Sequence, residues 1–319
     1  SIKPSLTLSV NSRALELKAQ GISVTSLAVG EPDFPTPKHV CEAAKAAIDD
    51  NFCRYTAVPG IPELRKAAGA YFERNYGVPV PMESIVVGAG GKHCLYNFMQ
   101  AMLNPGDEVL VPAPYWLSYP DMVMLTGATP VSVLAGPEQG FKVTPAMLEA
   151  HTTDKTKLLI LCSPSNPTGS VYSREELEAL ASVLERHPQV FVISDEIYEH
   201  INYVGAHQSL AQFPSIRERI VIINGVSKGY AMTGWRIGYA AGPENVIRNM
   251  VKLQENVSAC AATPCQVAAI EALEGPQDHL KYMVEQYRLR RDYVMRRISE
   301  LPGLSCHAPA GTFYAFIDI

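Results

Sequence analysis

Short apolar runs alternate along the chain with longer amphipathic stretches. Consecutive apolar positions occur at 84–87 (SIVV), 108–111 (EVLV), 157–162 (KLLILC), 190–194 (VFVIS), 219–223 (RIVII) and 236–240 (RIGYA). Strands covered on both faces read this way, because neither face meets water. Helical spacing fills 92–103 and 174–186, the second opening at Ser173 with Glu176 three residues on, a capping-box signature. The alternation predicts an α/β fold: a large domain with a mostly parallel central sheet flanked by helices. Ligands of such sheets gather at the carboxyl ends of the strands, so the residues just past each run carry the functional argument.

Both ends depart from this pattern. The first part holds one amphipathic helix (11–20) and a Pro-rich entry, GEPDFPTP at 30–37. From Asp278 a long basic-faced helix, containing YRLRRDYVMRRISE, precedes a predicted strand over 312–319. The two ends are expected to build a smaller α/β lobe: 1–37 as an N-terminal arm and part of that lobe, 38–277 as the large domain, and 278–319 as the start of the C-terminal part. The chain stops inside the apolar run FYAFIDI, as a truncated chain would.

Composition narrows the class. Of 319 residues, 47% are hydrophobic and 18% charged, which fits a packed globule and excludes a disordered or collagen-like chain. The formal charge of -5 gives no basic footprint for nucleic acid. No apolar run approaches the roughly 18 residues needed to cross a bilayer, and the start SIKPSLTLSV lacks the apolar core of a signal peptide, so no membrane and a cytoplasmic location are expected. The seven cysteines are scattered and never spaced as C-x-x-C, so neither a metal site nor a disulfide framework is expected.

Four strand ends carry unusual chemistry. After SIVV comes Gly88-Ala89-Gly90-Gly91-Lys92, a Gly-rich turn into a helix that suits an anion. A Walker A loop fails for want of the first glycine and the Ser/Thr, and a dinucleotide fingerprint fails on its third glycine. After LLILC comes Ser163-Pro-Ser-Asn166-Pro, where the residue before proline is held out of the helical region and its amide can face a cleft. After VFVIS come Asp195 and, three residues on, Tyr198; a carboxylate there needs a cation or donors to meet it. After RIVII comes Asn224-Gly-Val-Ser-Lys228, then Arg236, a nucleophile candidate followed by a phosphate-binding cation. Each feature also has a plainer reading: a tight glycine turn, a Pro/Gly turn, a helix N-cap aspartate and a surface lysine. Taken together, the phosphate cradle, acid, phenol, amide, lysine and second cation match what pyridoxal 5′-phosphate requires.

The series KPSLT, GEPDFPTP, RYTAVPGIPELR, GAGGKH, NPGDEVLVPAPYWLSYP, CSPSNPTGSVY, SDEIYEH, NGVSKGYAMTGWRIGY and GTFYAF resembles the class I aminotransferases of PLP fold type I, nearest the bacterial-type aspartate subgroup that includes prephenate aminotransferases. The resemblance implies that Lys228 carries the cofactor and moves the substrate proton, and that Asp195 keeps the pyridine nitrogen protonated. Asn166 and Tyr198 would bind the ring oxygen, Trp116 would stack on the ring, and Gly90, Gly91, Lys92 and Arg236 would hold the phosphate. Tyr55 would serve the phosphate of a neighbouring subunit, implying a homodimer with shared active sites. Gly30, Trp116 and Asn166 would meet the substrate, with Lys92 and Thr7 at its distal carboxylate. A solvated helix-start lysine is the plainer reading of Lys92, although cations are disfavoured at helix N-termini. The family's arginine for the substrate α-carboxylate lies beyond the strand where this chain ends, so no residue here takes that role.

The activity implied is amino transfer between aspartate or glutamate and a 2-oxo acid. A transaminase directed at prephenate or another amino acid, or a PLP lyase, are the alternatives on the same scaffold. A transcription regulator would need a DNA-binding segment, which is not visible, and a nicotinamide oxidoreductase would rest on the GAGG turn alone.

Overall fold

The computed structural model describes residues 6–27 and 29–319, with side chains from residue 9 onward. Seven strands form the main sheet: β1 (Ile85–Gly88), β2 (Glu108–Ala113), β3 (Thr129–Leu134), β4 (Thr156–Cys162), β5 (Phe191–Asp195), β6 (Ile220–Gly225) and β7 (Gly238–Ala241). Their order is β1-β7-β6-β5-β4-β2-β3, parallel throughout except that β7 runs antiparallel to both of its neighbours. A separate antiparallel pair joins β8 (Ser305–Cys306) to β9 (Ile317–Asp318).

The helices are α1 (Leu6–Ala19), α2 (Lys38–Asp49), α3 (Pro62–Tyr76), α4 (Gly91–Met102), α5 (Ser118–Met124), α6 (Pro145–His151), α7 (Arg174–Arg186), α8 (Glu244–Val257), α9 (Thr263–Glu274) and α10 (Asp278–Ser299). Successive side chains of a strand point to opposite faces, so the continuous apolar runs feed two cores. Ile85, Val87, Leu159, Leu161, Val192 and Ile222 pack on one face with residues of α2, α3, α7 and α9. Val86, Leu158, Ile160, Ile193, Val221 and Ile223 pack on the other with α4, α5 and α8. The predicted capping box of α7 is present: Ser173 Oγ accepts from the Glu176 amide and Glu176 accepts from the Ser173 amide.

Three features differ from the pattern reading. Strand β3 was not predicted, because it mixes exposed and half-buried positions with a single buried residue, Val133, and contains Pro130; proline is tolerated there since β3 is an edge strand. The last predicted core strand starts at Gly238 rather than Arg236, which adopts a left-handed φ of 55°. The predicted strand over 312–319 shrinks to Ile317–Asp318. Thr312 turns a left-handed corner at φ 62°, and Phe313 and Tyr314 point inward to a cluster with Tyr198, Tyr203, Met283 and Tyr287 instead of extending a ladder.

Phe34 packs edge-on against Tyr282 and Tyr287 of α10, and Asp33 pairs with Arg290 at 2.7 Å. The Pro-rich entry thus lies on α10, next to the carboxyl ends of the strands.

Candidate active site

A cleft of about 1340 Å³ opens at those strand ends. Gly30, Gly91, Lys92, Trp116, Asn166, Asp195, Tyr198, Lys228 and Arg236 all line it. These residues come from six stretches far apart in sequence, and the fold brings them together.

The Gly-rich turn and Arg236 make one wall. Gly90 has φ 88°, and a Cβ at that position would fall onto the Arg236 guanidinium. A Cβ on Gly238 would collide with the backbone of Gly90 and Gly91. The left-handed turn at Arg236 aims its guanidinium back at the loop, where it donates to the carbonyls of Thr233 (2.8 Å) and Ala89 (3.2 Å). Helix α4 starts at Gly91, so backbone N–H groups and a cation converge on one point, an arrangement suited to a phosphate. Lys92 lies half-buried, its ammonium 4.6 Å from the Trp116 ring centre, and burial with the nearby Arg236 lowers its pKa.

The same cleft holds the lysine and the acid. Lys228 donates to the Gly30 carbonyl at 2.6 Å and lies over the rings of Tyr198 and Phe313. Burial pushes its pKa down to about 8; Glu31 and Asp195 act against the shift and Arg236 adds to it. A lysine so placed loses its proton more readily than a solvated one, which favours nucleophilic chemistry. Asp195, the last residue of β5, is buried, and burial raises its carboxyl to about 6. It is not the N-cap of a helix; an irregular turn follows, with the Ile197 amide donating to its Oδ1 at 3.4 Å.

Two tyrosines of the site escaped the reading of the sequence. Tyr119 donates to Asp195 Oδ2 at 2.6 Å from α5. Its available signal was spacing, three residues past Trp116 in PYWLSYP, and the two rings are 5.4 Å apart and edge-on. Tyr314 lies 2.7 Å from the Tyr198 hydroxyl and accepts from Asn166 Nδ2 at 3.4 Å; in FYAF it reads as one more strand residue.

The remaining predicted residues lie elsewhere. Tyr55 is 92% exposed and does not line the cleft of its own chain. The side chain of Thr7 is outside the described residues. All seven cysteines are free, and burial pushes the Cys162 thiol up to about 12, the wrong direction for a nucleophile. Among the described residues no helix is long and apolar enough to cross a membrane.

With this geometry in view, the kinship of the chain becomes specific. Residues 22–319 match the family "Aminotransferase class I and II". The chain is 51% identical, over all of its length and 80% of the other protein, to an aspartate/prephenate aminotransferase of Cereibacter sphaeroides. The crystal structure of an aspartate aminotransferase from Rhizobium meliloti superposes with a TM-score of 0.96 at 43% identity, covering 99% of this chain and 80% of that one. The Thermus thermophilus aspartate aminotransferase with maleate gives 0.94 at 44%, covering 99% and 82%. The chain belongs to the class I and II aminotransferases, whose cofactor is pyridoxal 5′-phosphate. The residues present fit that group: the glycine cradle that a Cβ would fill, the buried carboxylate, and the amide, phenol and lysine around one cleft.

Proposed function

We propose that this aminotransferase moves an amino group between aspartate or glutamate and a 2-oxo acid, in the sense aspartate + 2-oxoglutarate = oxaloacetate + glutamate. The observation that carries this reading is the meeting of the Lys228 amine and the buried Asp195 carboxylate in one cleft beside an anion cradle. The names of the relatives support the substrate class. They also favour prephenate as a second acceptor worth assaying, since the Cereibacter relative is named for both.

Pyridoxal phosphate, when bound, supplies an aldehyde for the amine and a ring that accepts electrons from the substrate α-carbon. Lys228 would hold the cofactor through Nζ and would serve as the base at the substrate α-carbon; burial lowers its pKa and favours the neutral amine that this role needs. Asp195 would hold the proton on the ring nitrogen, a role that needs its carboxylate form, which the Tyr119 hydrogen bond favours. Asn166 and Tyr198 would bind the ring oxygen, and Trp116 would stack on the ring. Gly90, Gly91, Lys92 and Arg236 would hold the phosphate. Gly30 and Asn166 orient the substrate, with Lys92 and Thr7 assigned to its distal carboxylate.

The exposed phenol of Tyr55 is assigned to the phosphate of a second subunit, which makes a homodimer with shared sites part of the proposal. The proposal also divides the chain near residues 37 and 277 into a cofactor domain and a smaller lobe. A cytoplasmic location accords with seven unpaired cysteines. The test is product analysis with PLP, aspartate and 2-oxoglutarate. Oxaloacetate and glutamate in equal amounts support the reading, whereas ammonia or pyruvate without glutamate points to lyase chemistry.

A further inference from the structure

Tyr314 enters the cleft from the segment after α10, whereas Asn166 follows β4 and Tyr198 follows β5. Its hydroxyl nevertheless contacts both, at 2.7 Å from the Tyr198 hydroxyl and 3.4 Å from Asn166 Nδ2. The position is tightly specified. The Thr312 corner delivers the residue, with the Thr312 amide bonded to the Ile201 carbonyl at 2.7 Å and the Tyr314 amide to Thr312 Oγ1 at 3.3 Å. A methyl group at Gly30 would overlap the Tyr314 hydroxyl, and the Gly30 carbonyl is in turn held by Lys228 at 2.6 Å.

We propose that Tyr314 is a positioning residue that donates a hydrogen bond to Tyr198 and thereby strengthens the grip of Tyr198 and Asn166 on the cofactor's ring oxygen. The inference rests on the assignment of those two residues to that oxygen. It follows from an inventory of donors. A phenol has one proton, and an amide nitrogen of asparagine has two. Without a ligand either hydroxyl is able to donate across the 2.7 Å contact. Once Tyr198 gives its proton to an anionic oxygen, only Tyr314 can donate across that contact. The Tyr314 oxygen then accepts from Asn166, whose second N–H stays available for the ring oxygen. Every hydrogen is used once, and each bond in such a chain polarises the next, strengthening it by roughly 10–30%. If Tyr314 only filled space, its hydroxyl would have no part in this.

Strong donors at the ring oxygen stabilise its negative charge and lower the proton affinity of the nitrogen that joins lysine to cofactor. The visible absorbance of the PLP-loaded enzyme reports that protonation directly. In Tyr314→Phe the midpoint of the absorbance titration is expected to rise by about half a unit. A ring-fluorinated tyrosine in place of Tyr314, a stronger donor of nearly the same shape, is expected to move it down, and this arm answers the question should Tyr314→Phe fail to fold. In a Tyr198→Phe background the effect of Tyr314→Phe should vanish. An unchanged midpoint in Tyr314→Phe, or an equal shift persisting in the Tyr198→Phe background, overturns the inference while leaving the cofactor assignment intact. Absence of any visible band in the wild-type protein overturns the assignment and this inference with it.

Discussion

The Tyr119 phenol donates to Oδ2 of the buried Asp195 carboxylate at 2.6 Å. Burial raises Asp195, and this hydrogen bond is the largest influence holding it down. The hydrogen bond thus favours the ionised form of a carboxylate that has little contact with solvent, the form the proposed role of Asp195 at the ring nitrogen needs.

Removing that hydroxyl is therefore expected to cost activity through Asp195. A hydrogen bond to a charged group contributes about 1.5–3 kcal/mol, so Tyr119→Phe should lower kcat/KM by roughly 10- to 100-fold near neutral pH. The acid limb of the kcat/KM–pH profile should also move upward, because Asp195 titrates higher. An acid limb that stays in place while activity falls would assign Tyr119 to packing alone.

Asp195 also makes a stability prediction for the cofactor-free protein. Its folded pKa of about 6 lies above the ordinary 3.8. Its contribution to stability is thus fully present below the ordinary value and is lost as pH rises through about 6. Above that range the buried charge costs up to ~3 kcal/mol by linkage. Cofactor-free Asp195→Asn should accordingly be more stable than wild type near pH ~8, with the gap closing towards pH ~4. Denaturant unfolding at both pH values checks this; a gap that does not change with pH would remove Asp195 as its source.

The cradle predicts a different signature. Gly90→Ala places a Cβ against the Arg236 guanidinium at a backbone φ of 88°. Strain of this kind costs about 1–3 kcal/mol, and the displaced guanidinium should weaken PLP binding about tenfold or more. Thermal unfolding together with a PLP binding titration measures both. Destabilisation with unchanged PLP affinity would separate the turn from the phosphate.

Much of this architecture was legible because strands covered on both faces leave runs of consecutive apolar residues, and the residues ending them could be read as ligands. Asp195, Lys228 and Asn166 lie at or just past β5, β6 and β4. Strand β3 was hidden by its edge position, which allows several exposed residues and Pro130. Tyr119 and Tyr314 were hidden for another reason: a tyrosine inside an apolar stretch looks like core, and only the fold shows where its hydroxyl points. The sequence marked Arg236 as a cation, but not the left-handed turn that swings it back to Ala89.

The most direct test of the whole account is chemical trapping. Holoprotein reduced with borohydride and digested with a protease is predicted to carry the pyridoxyl phosphate mass on the peptide containing Lys228, and Lys228→Ala should carry none. Label on a peptide containing another lysine, or no label in the wild-type protein, would contradict it.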